Sequence, residues 1–292
     1  METWFSHRSV GEMRPGDHAW LGYSSDEEQE RVIGTFVRTG LATADKVIYV
    51  SDSAPQEIPG IGGWADPSRF VDSGQLRIIP RREAYLTDDR FDAELVLTML
   101  GAEIVAAERE GYRGIRVTGD EMSWATVDPG DRQRLIACER QVDAAIAPST
   151  TVMAICQVDR RQCAAEDLRT LRELHEVMVH PDPEFEDGVL RIVRTYAPCG
   201  LRIEGELDAA RHTVFIEALE GVAAADGEVH LDLADLRFID LRALGVLADL
   251  TSRRLVANGV VLDNVPPQLR DVIELVGWHM LPGVRPGRGE AR

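Results

Sequence analysis

Between Val229 and Leu255 the apolar positions change period once, and the change marks a strand followed by a helix. Val229, Leu231 and Leu233 alternate with His230, Asp232 and Ala234, the period of a strand with one buried face. Beyond Phe238-Ile239-Asp240, the residues Leu241, Leu244, Leu247, Ala248 and Leu255 recur at steps of three and four, the period of a helix face. Asp240 stands where an N-cap belongs. A carboxylate there accepts from orphaned amides and suits the positive end of the helix dipole.

The same alternation of strand and helix runs on both sides of this segment. Upstream, Leu190–Val193 and Gly200–Gly205 read as strands, and Asp208 caps a helix carrying Val214, Phe215, Ala218, Leu219 and Val222. Downstream, Gly259–Leu262 reads as a strand and Pro267–Val276 as a last helix stopped by Gly277. In the first part of the chain, Val47–Val50, Leu76–Ile79, Gly114–Thr118 and Val152–Cys156 read as strands. Helices are expected over Phe91–Arg109, Pro129–Ala147 and Ala165–Val179, the last ended by His180-Pro181. Strands separated by helices predict an α/β protein whose first part is a doubly wound, mostly parallel sheet.

Length adds a boundary. At 292 residues two domains are expected, and the Pro-, Gly- and acid-rich stretch His180–Gly188 supplies a linker. The expected organisation is a first domain over 1–182, a linker over 183–188, a second domain over 189–281 and a disordered tail over 282–292.

Composition removes whole classes of function. The net charge is −18, and Lys46 is the single lysine in the chain. No basic stripe exists to neutralise a phosphate backbone, so no nucleic-acid partner is expected. No apolar run reaches the roughly 18–20 residues of a membrane helix, and no signal-peptide core opens the chain, so a cytoplasmic protein is expected. Cys138, Cys156, Cys163 and Cys199 lack CxxC spacing and read as free thiols in a reducing compartment. No metal-ligand set and no cofactor are named from spacing.

The frame Asp240-Leu241-Arg242-Ala243-Leu244-Gly245-Val246-Leu247, with Gly205-Glu206-Leu207-Asp208 before it, resembles the STAS domain of anti-sigma factor antagonists. That family runs strand, D-[ST]-S-[GA]-apolar-[GA]-x-L, helix, and a kinase-type anti-sigma factor phosphorylates the serine before the small residue. Here Arg242 stands at that serine, so no phosphorylation site is expected. The resemblance implies a STAS-like fold and a partner-facing surface at Asp240, Leu241, Arg242 and Ala243, with an anti-sigma factor or another regulatory protein as partner. Arg242 also reads as a plain solvated first-turn residue.

In the first domain, Pro15-Gly16-Asp17-His18 with Tyr23, Val47–Val50, Tyr85-Leu86-Thr87 with Arg90-Phe91-Asp92, Val117–Trp124, Cys156–Arg161 and His180-Pro181 occur in that order. Together they resemble the MEDS sensory domain of methanogen and methylotroph regulators. Many members carry a cysteine two residues after the histidine, where this chain has Trp20. The resemblance implies a RecA-like core, here a degenerate one. A P-loop needs G-x-x-x-x-G-K-[ST] so that backbone amides and a lysine hold the phosphates. The corresponding Leu21-Gly22-Tyr23-Ser24-Ser25-Asp26-Glu27-Glu28 has no lysine and three carboxylates, and reads as a helix cap. Asp120-Glu121 resembles a Walker B ending without its P-loop.

Ligands of open parallel sheets sit at the strand C-termini. Candidate ligand-binding residues are therefore Asp17, His18, Tyr23, Asp52, Asp120, Glu121, Trp124 and Asp159, with Asp52, Asp120, Glu121 and Asp159 expected to converge. Three have structural alternatives: His18 as a turn histidine bonded to Asp17, Trp124 as a core aromatic, and Glu121 as a structural carboxylate. The expected function is a non-enzymatic signalling regulator that senses a small molecule or a protein and acts through a protein partner. A nucleotide-using RecA-like protein with a degenerate site and a pure scaffold are the alternatives; a homo-oligomer is compatible with each. A DNA-binding regulator is opposed by the charge.

Overall fold

Short apolar runs punctuated by helices build a seven-stranded, all-parallel sheet in the first part of the chain. The computed structural model describes residues 6–62, 66–223, 227–243, 245–246, 259–275 and 283–287. The chain divides into two units, Met1–Pro181 and Asp182–Arg292. Strands of the first unit are β1 (Ser6–Ser9), β2 (His18–Tyr23), β3 (Lys46–Val50), β4 (Leu76–Ile79), β5 (Leu86–Thr87), β6 (Arg90–Phe91), β7 (Ile115–Gly119), β8 (Val152–Asp159) and β9 (Val177–His180). The sheet order is β1-β9-β2-β8-β7-β3-β4, with β5 and β6 forming a separate antiparallel pair. The helices are α1 (Asp26–Ala42), α2 (Ser68–Asp72), α3 (Arg81–Tyr85), α4 (Ala93–Arg109), α5 (Pro129–Ile146) and α6 (Ala165–Arg172).

Alternation along the strands feeds two cores. Val47 and Tyr49 of β3 pack with Val32, Ile33, Phe36 and Val37 of α1 on one face. Ile48 and Val50 point the other way, into a cluster with Ala107 of α4 and Ile146 of α5. Both faces are covered, which is why these parallel strands read as continuous apolar runs. Each fully buried side chain of this kind contributes roughly 1.5–3 kcal/mol.

The second unit holds a mixed sheet. Its strands are β10 (Phe185–Glu186), β11 (Leu190–Tyr196), β12 (Cys199–Leu207), β13 (Val229–Asp232), β14 (Leu236–Ile239), β15 (Val260–Asp263) and β16 (Val284–Pro286). The order is β10-β11-β12-β13-β15-β16, with β14 also paired to β12. β10, β11 and β12 are antiparallel neighbours and the other pairs are parallel. Helix α7 (His212–Ala223) lays Phe215, Leu219 and Val222 on the core. A last helix spans Pro267–Leu275. Residues 241–243 and 245–246 are helical. Of the helix face expected after Asp240, positions 244, 247, 248 and 255 lie outside the described residues, as do 276 and 277.

Three expectations are corrected. The helix expected over Ala165–Val179 ends at Arg172, and Val177–His180 is strand β9, inserted between β1 and β2. The His180-Pro181 pair therefore ends a strand, where backbone pairing with two neighbours outweighs the helical spacing of the side chains. The expected linker contains β10, because Phe185 and Glu186 pair with Ile192 and Arg191. Within the expected disordered tail, Val284–Pro286 pairs with β15, covering what would otherwise be an open sheet edge. Among the described residues no helix is long and apolar enough to cross a membrane.

Candidate functional site

A cavity of about 80 Å³ lies between the sheet and helices α4 and α5. Its walls are mainly apolar, with Phe91, Val96, Leu100, Val117 and Val142 contributing, and polar side chains interrupt them, among them His18, Asp120, Glu139, Cys156 and Gln157. Gln157 is buried, and its Nε2 donates to the Gly119 carbonyl at 2.5 Å and to Thr118 Oγ1 at 3.1 Å. Its Oε1 accepts from Gln29 Nε2 at 2.9 Å. One amide thus ties β8 to β7 and to α1.

The first residue of β2 leads into this cavity. His18 is not a turn histidine held by Asp17. Its Nε2 lies 3.3 Å from Glu139 Oε2 and its Nδ1 3.4 Å from Asp143 Oδ1. Asp17 instead accepts from the Arg14 amide at 2.9 Å and pairs with Arg8 at 3.3 Å. On the far side of Glu139, His175 Nε2 is 3.3 Å from the same carboxylate oxygen, and the His18 and His175 rings are 4.4 Å apart between centroids. The three side chains are 3%, 10% and 1% exposed for His18, Glu139 and His175. Burial works to lower the His18 pKa, but Asp143 and Glu139 outweigh it and hold it up at about 9. Burial opposes ionisation of Glu139, yet His175 and His18 keep its carboxyl well below the usual range.

No metal ligands are named by the sequence, but these residues form a set that could hold an ion, because their ligand atoms lie within 4.8 Å of one another. Glu139 and His175 went unremarked in the sequence. A signal for Glu139 was present: it falls on the helical stripe of Leu135, Cys138, Val142 and Ile146, a charge where the period asks for an apolar residue. Trp20, at the position of the missing family cysteine, pairs with Cys156 across β2 and β8. Cys156 Sγ donates to Glu139 Oε1 at 3.6 Å. Burial and the nearby Glu139 push the Cys156 thiol well up and the Cys138 thiol to about 12.

Of the four carboxylates expected to converge at the strand C-termini, Asp52 and Asp120 share one arginine, while Glu121 and Asp159 have other hydrogen-bond partners. Asp120 accepts from Ser51 Oγ at 2.8 Å and, with Asp52, flanks Arg81 at 4.0 and 3.7 Å. Burial raises the Asp120 pKa. Glu121 accepts from the Ser123 amide at 2.7 Å and lies close enough to add, after burial and with Asp159, to the raising of the Tyr23 pKa. Asp159 is held by Arg161, which also reaches Asp26 at 2.7 Å and lies 5.9 Å from the Tyr23 ring centre. Trp124 packs among Tyr85 and Phe91, with the Arg81 guanidinium 5.5 Å from its ring centre. Only His18 and Asp120 of the eight candidates line the cavity. The start of α1, where a phosphate-binding sheet would hold its anion, is occupied by the chain itself. Ser25 Oγ accepts from the Glu28 amide at 3.2 Å, and Glu28 Oε2 accepts from the Ser24 amide at 2.7 Å.

In the second unit Asp240 is the expected cap: Oδ1 accepts from the Ala243 amide at 2.8 Å. It also lies 2.8 Å from His212 Nε2 of α7. Burial disfavours its ionisation, but the Ala243 amide and His212 hold its carboxyl below the usual range. Of the four expected partner contacts, Ala243 is fully buried and its side chain cannot meet a partner. Leu241 is 65% exposed, Arg242 is exposed, and the neighbouring Phe238 of β14 is 47% exposed.

Comparison with known proteins agrees with this architecture. Residues 190–283 match the family described as Mlab, STAS domain. No curated protein matches the chain. Among solved structures, the flagellar accessory protein FlaH from Methanocaldococcus jannaschii is similar at 16% identity over 67% of this chain and 88% of that one, with a TM-score of 0.34, too slight a likeness to bear on function. Residues 17–176, more than half of the chain, match the MEthanogen/methylotroph, DcmR Sensory domain, so the protein belongs to the MEDS family and joins a MEDS domain to a C-terminal STAS domain.

Proposed function

We propose that the protein is a non-enzymatic signalling regulator in which the MEDS domain receives a small molecule and the STAS domain passes the state to an anti-sigma factor or a related regulatory protein. The observation that carries the reading is the surface at the end of β14 and the turn after it: exposed Phe238 and Leu241 with exposed Arg242, at the position where the family places its serine. Exposed apolar side chains flanked by arginine are the make-up of interface anchors. With arginine in place of serine, phosphorylation cannot add charge there, so regulation enters through the first domain or through partner abundance. Against a nucleotide-using enzyme stand the missing lysine and the α1 start filled by Glu28.

The test is a pull-down from the protein's own cytoplasm with the full chain and with a Leu241→Asp variant. An anti-sigma factor of the GHKL kinase fold should be retained by the wild type and lost by the variant. Equal retention by both, or no such protein in the wild-type eluate, overturns the reading.

A further inference from the structure

The hydrogen bonding of His175 leaves a place for a cation. Its Nδ1 lies 2.9 Å from the Leu171 carbonyl. A carbonyl only accepts, so Nδ1 carries a proton, and in the neutral form of the ring Nε2 is left as a lone pair. That lone pair faces Glu139 Oε2 at 3.3 Å, which sets two acceptors against each other. His18 approaches the same oxygen with its Nε2, also at 3.3 Å. Glu139 Oε2 and His175 Nε2 are buried and make no hydrogen bond among the described residues, although buried polar atoms are normally satisfied.

A proton on His175 Nε2 would fill the gap only by charging a buried ring that stands beside His18. Two buried imidazolium rings with centroids 4.4 Å apart would repel in a low dielectric. One dication does the same work with both imidazoles neutral, and its charge balances the carboxylates of Glu139 and Asp143.

We propose that His18 Nε2, Glu139 Oε2 and His175 Nε2 bind a divalent transition-metal ion of the zinc type. A tetrahedral ion with bonds of roughly 2.0–2.1 Å to nitrogen and oxygen has a ligand-to-ligand edge of about 3.3 Å. Both nitrogen-to-oxygen separations are 3.3 Å. The far nitrogen of His175 has the partner a metal-binding histidine requires, the Leu171 carbonyl, and the far nitrogen of His18, which makes no hydrogen bond among the described residues, lies 3.4 Å from Asp143. Two histidines and one carboxylate leave a fourth position open. His18 and Glu139 also line the cavity, so the fourth ligand, water or the donor atom of a small molecule, comes from that side. The metal site needs no sensed ligand to form, so its test is separate from that of the partner.

The full-length chain, freed of any affinity tag and stripped with a chelator, would be titrated with Co²⁺. One Co²⁺ per chain, with the visible absorption of a four-coordinate ion and displacement by Zn²⁺, is expected. Glu139→Gln and His175→Gln should abolish that absorption, and Asp143→Asn should weaken binding roughly 10–100-fold. X-ray absorption at the zinc edge of the wild type needs no variant and should show imidazole and oxygen ligands. A wild-type chain that binds neither ion, variants that bind as well as it does, or a first shell dominated by sulfur would each overturn the assignment.

Discussion

Asp159 ends β8 and is the best-anchored carboxylate at the sheet's C-terminal end. Hydrogen bonds from Arg161 hold its pKa down, against burial, from the usual 3.8 to about 2. A folded-state pKa below the unfolded one means that the ionised form favours folding. The contribution is complete above the unfolded value and is lost as pH falls through the folded one. The stability difference between wild type and Asp159→Asn should therefore stay constant above about pH 4 and shrink between there and about pH 2. Urea midpoints across that range measure it, and a difference that grows on acidification would refute it. Asp159 was legible because acidic residues after a strand stand out. Its partner was not expected, since nothing in Asp159-Arg160-Arg161 says which arginine folds back. His18 was singled out by its motif, while its true neighbours, Glu139 and His175, come from α5 and the segment after α6. Contacts across such distances depend on sheet order, which spacing does not encode.

Elements with local signals were legible. Ser25 and Asp240 act as caps, as their positions suggested, because a cap is decided by residues three positions apart. Segments decided by pairing were not. β9 follows Leu168, Leu171 and Leu174 at helical steps, yet Val177 and Val179 are buried as alternating strand residues. β16 was hidden in a Gly- and Pro-rich tail because its stability comes from β15. Gly205 marks another such place: its φ is +96°, a Cβ there would collide with the Val189 carbonyl, and the β12–β14 register shifts beside it. Gly205→Ala should destabilise the second unit by more than about 1 kcal/mol, the expected result where the native φ suits only glycine. Hydrogen exchange over β11, β12 and β14 would report it, and unchanged protection would show that the bulge relaxes freely.

For the molecule as a whole, charge decides between two kinds of regulator. A MEDS domain could serve a protein that reads DNA directly or one that acts through another protein. Direct reading needs clustered Lys and Arg, because phosphate contacts and counterion release supply most of the affinity. This chain has a net charge of −18 and one lysine, and that lysine, Lys46, is buried and paired with Glu110 at 2.7 Å. Arginines follow the same rule: Arg116 is taken up by Asp45, Arg132 by Asp167 and Arg211 by Asp187. These four cationic side chains thus serve folding in both units. Fluorescence anisotropy with duplex DNA at low salt should detect no binding. Micromolar binding that weakens steeply with added salt would move the function to DNA itself, and the exposed Leu241 and Phe238 would then need another explanation.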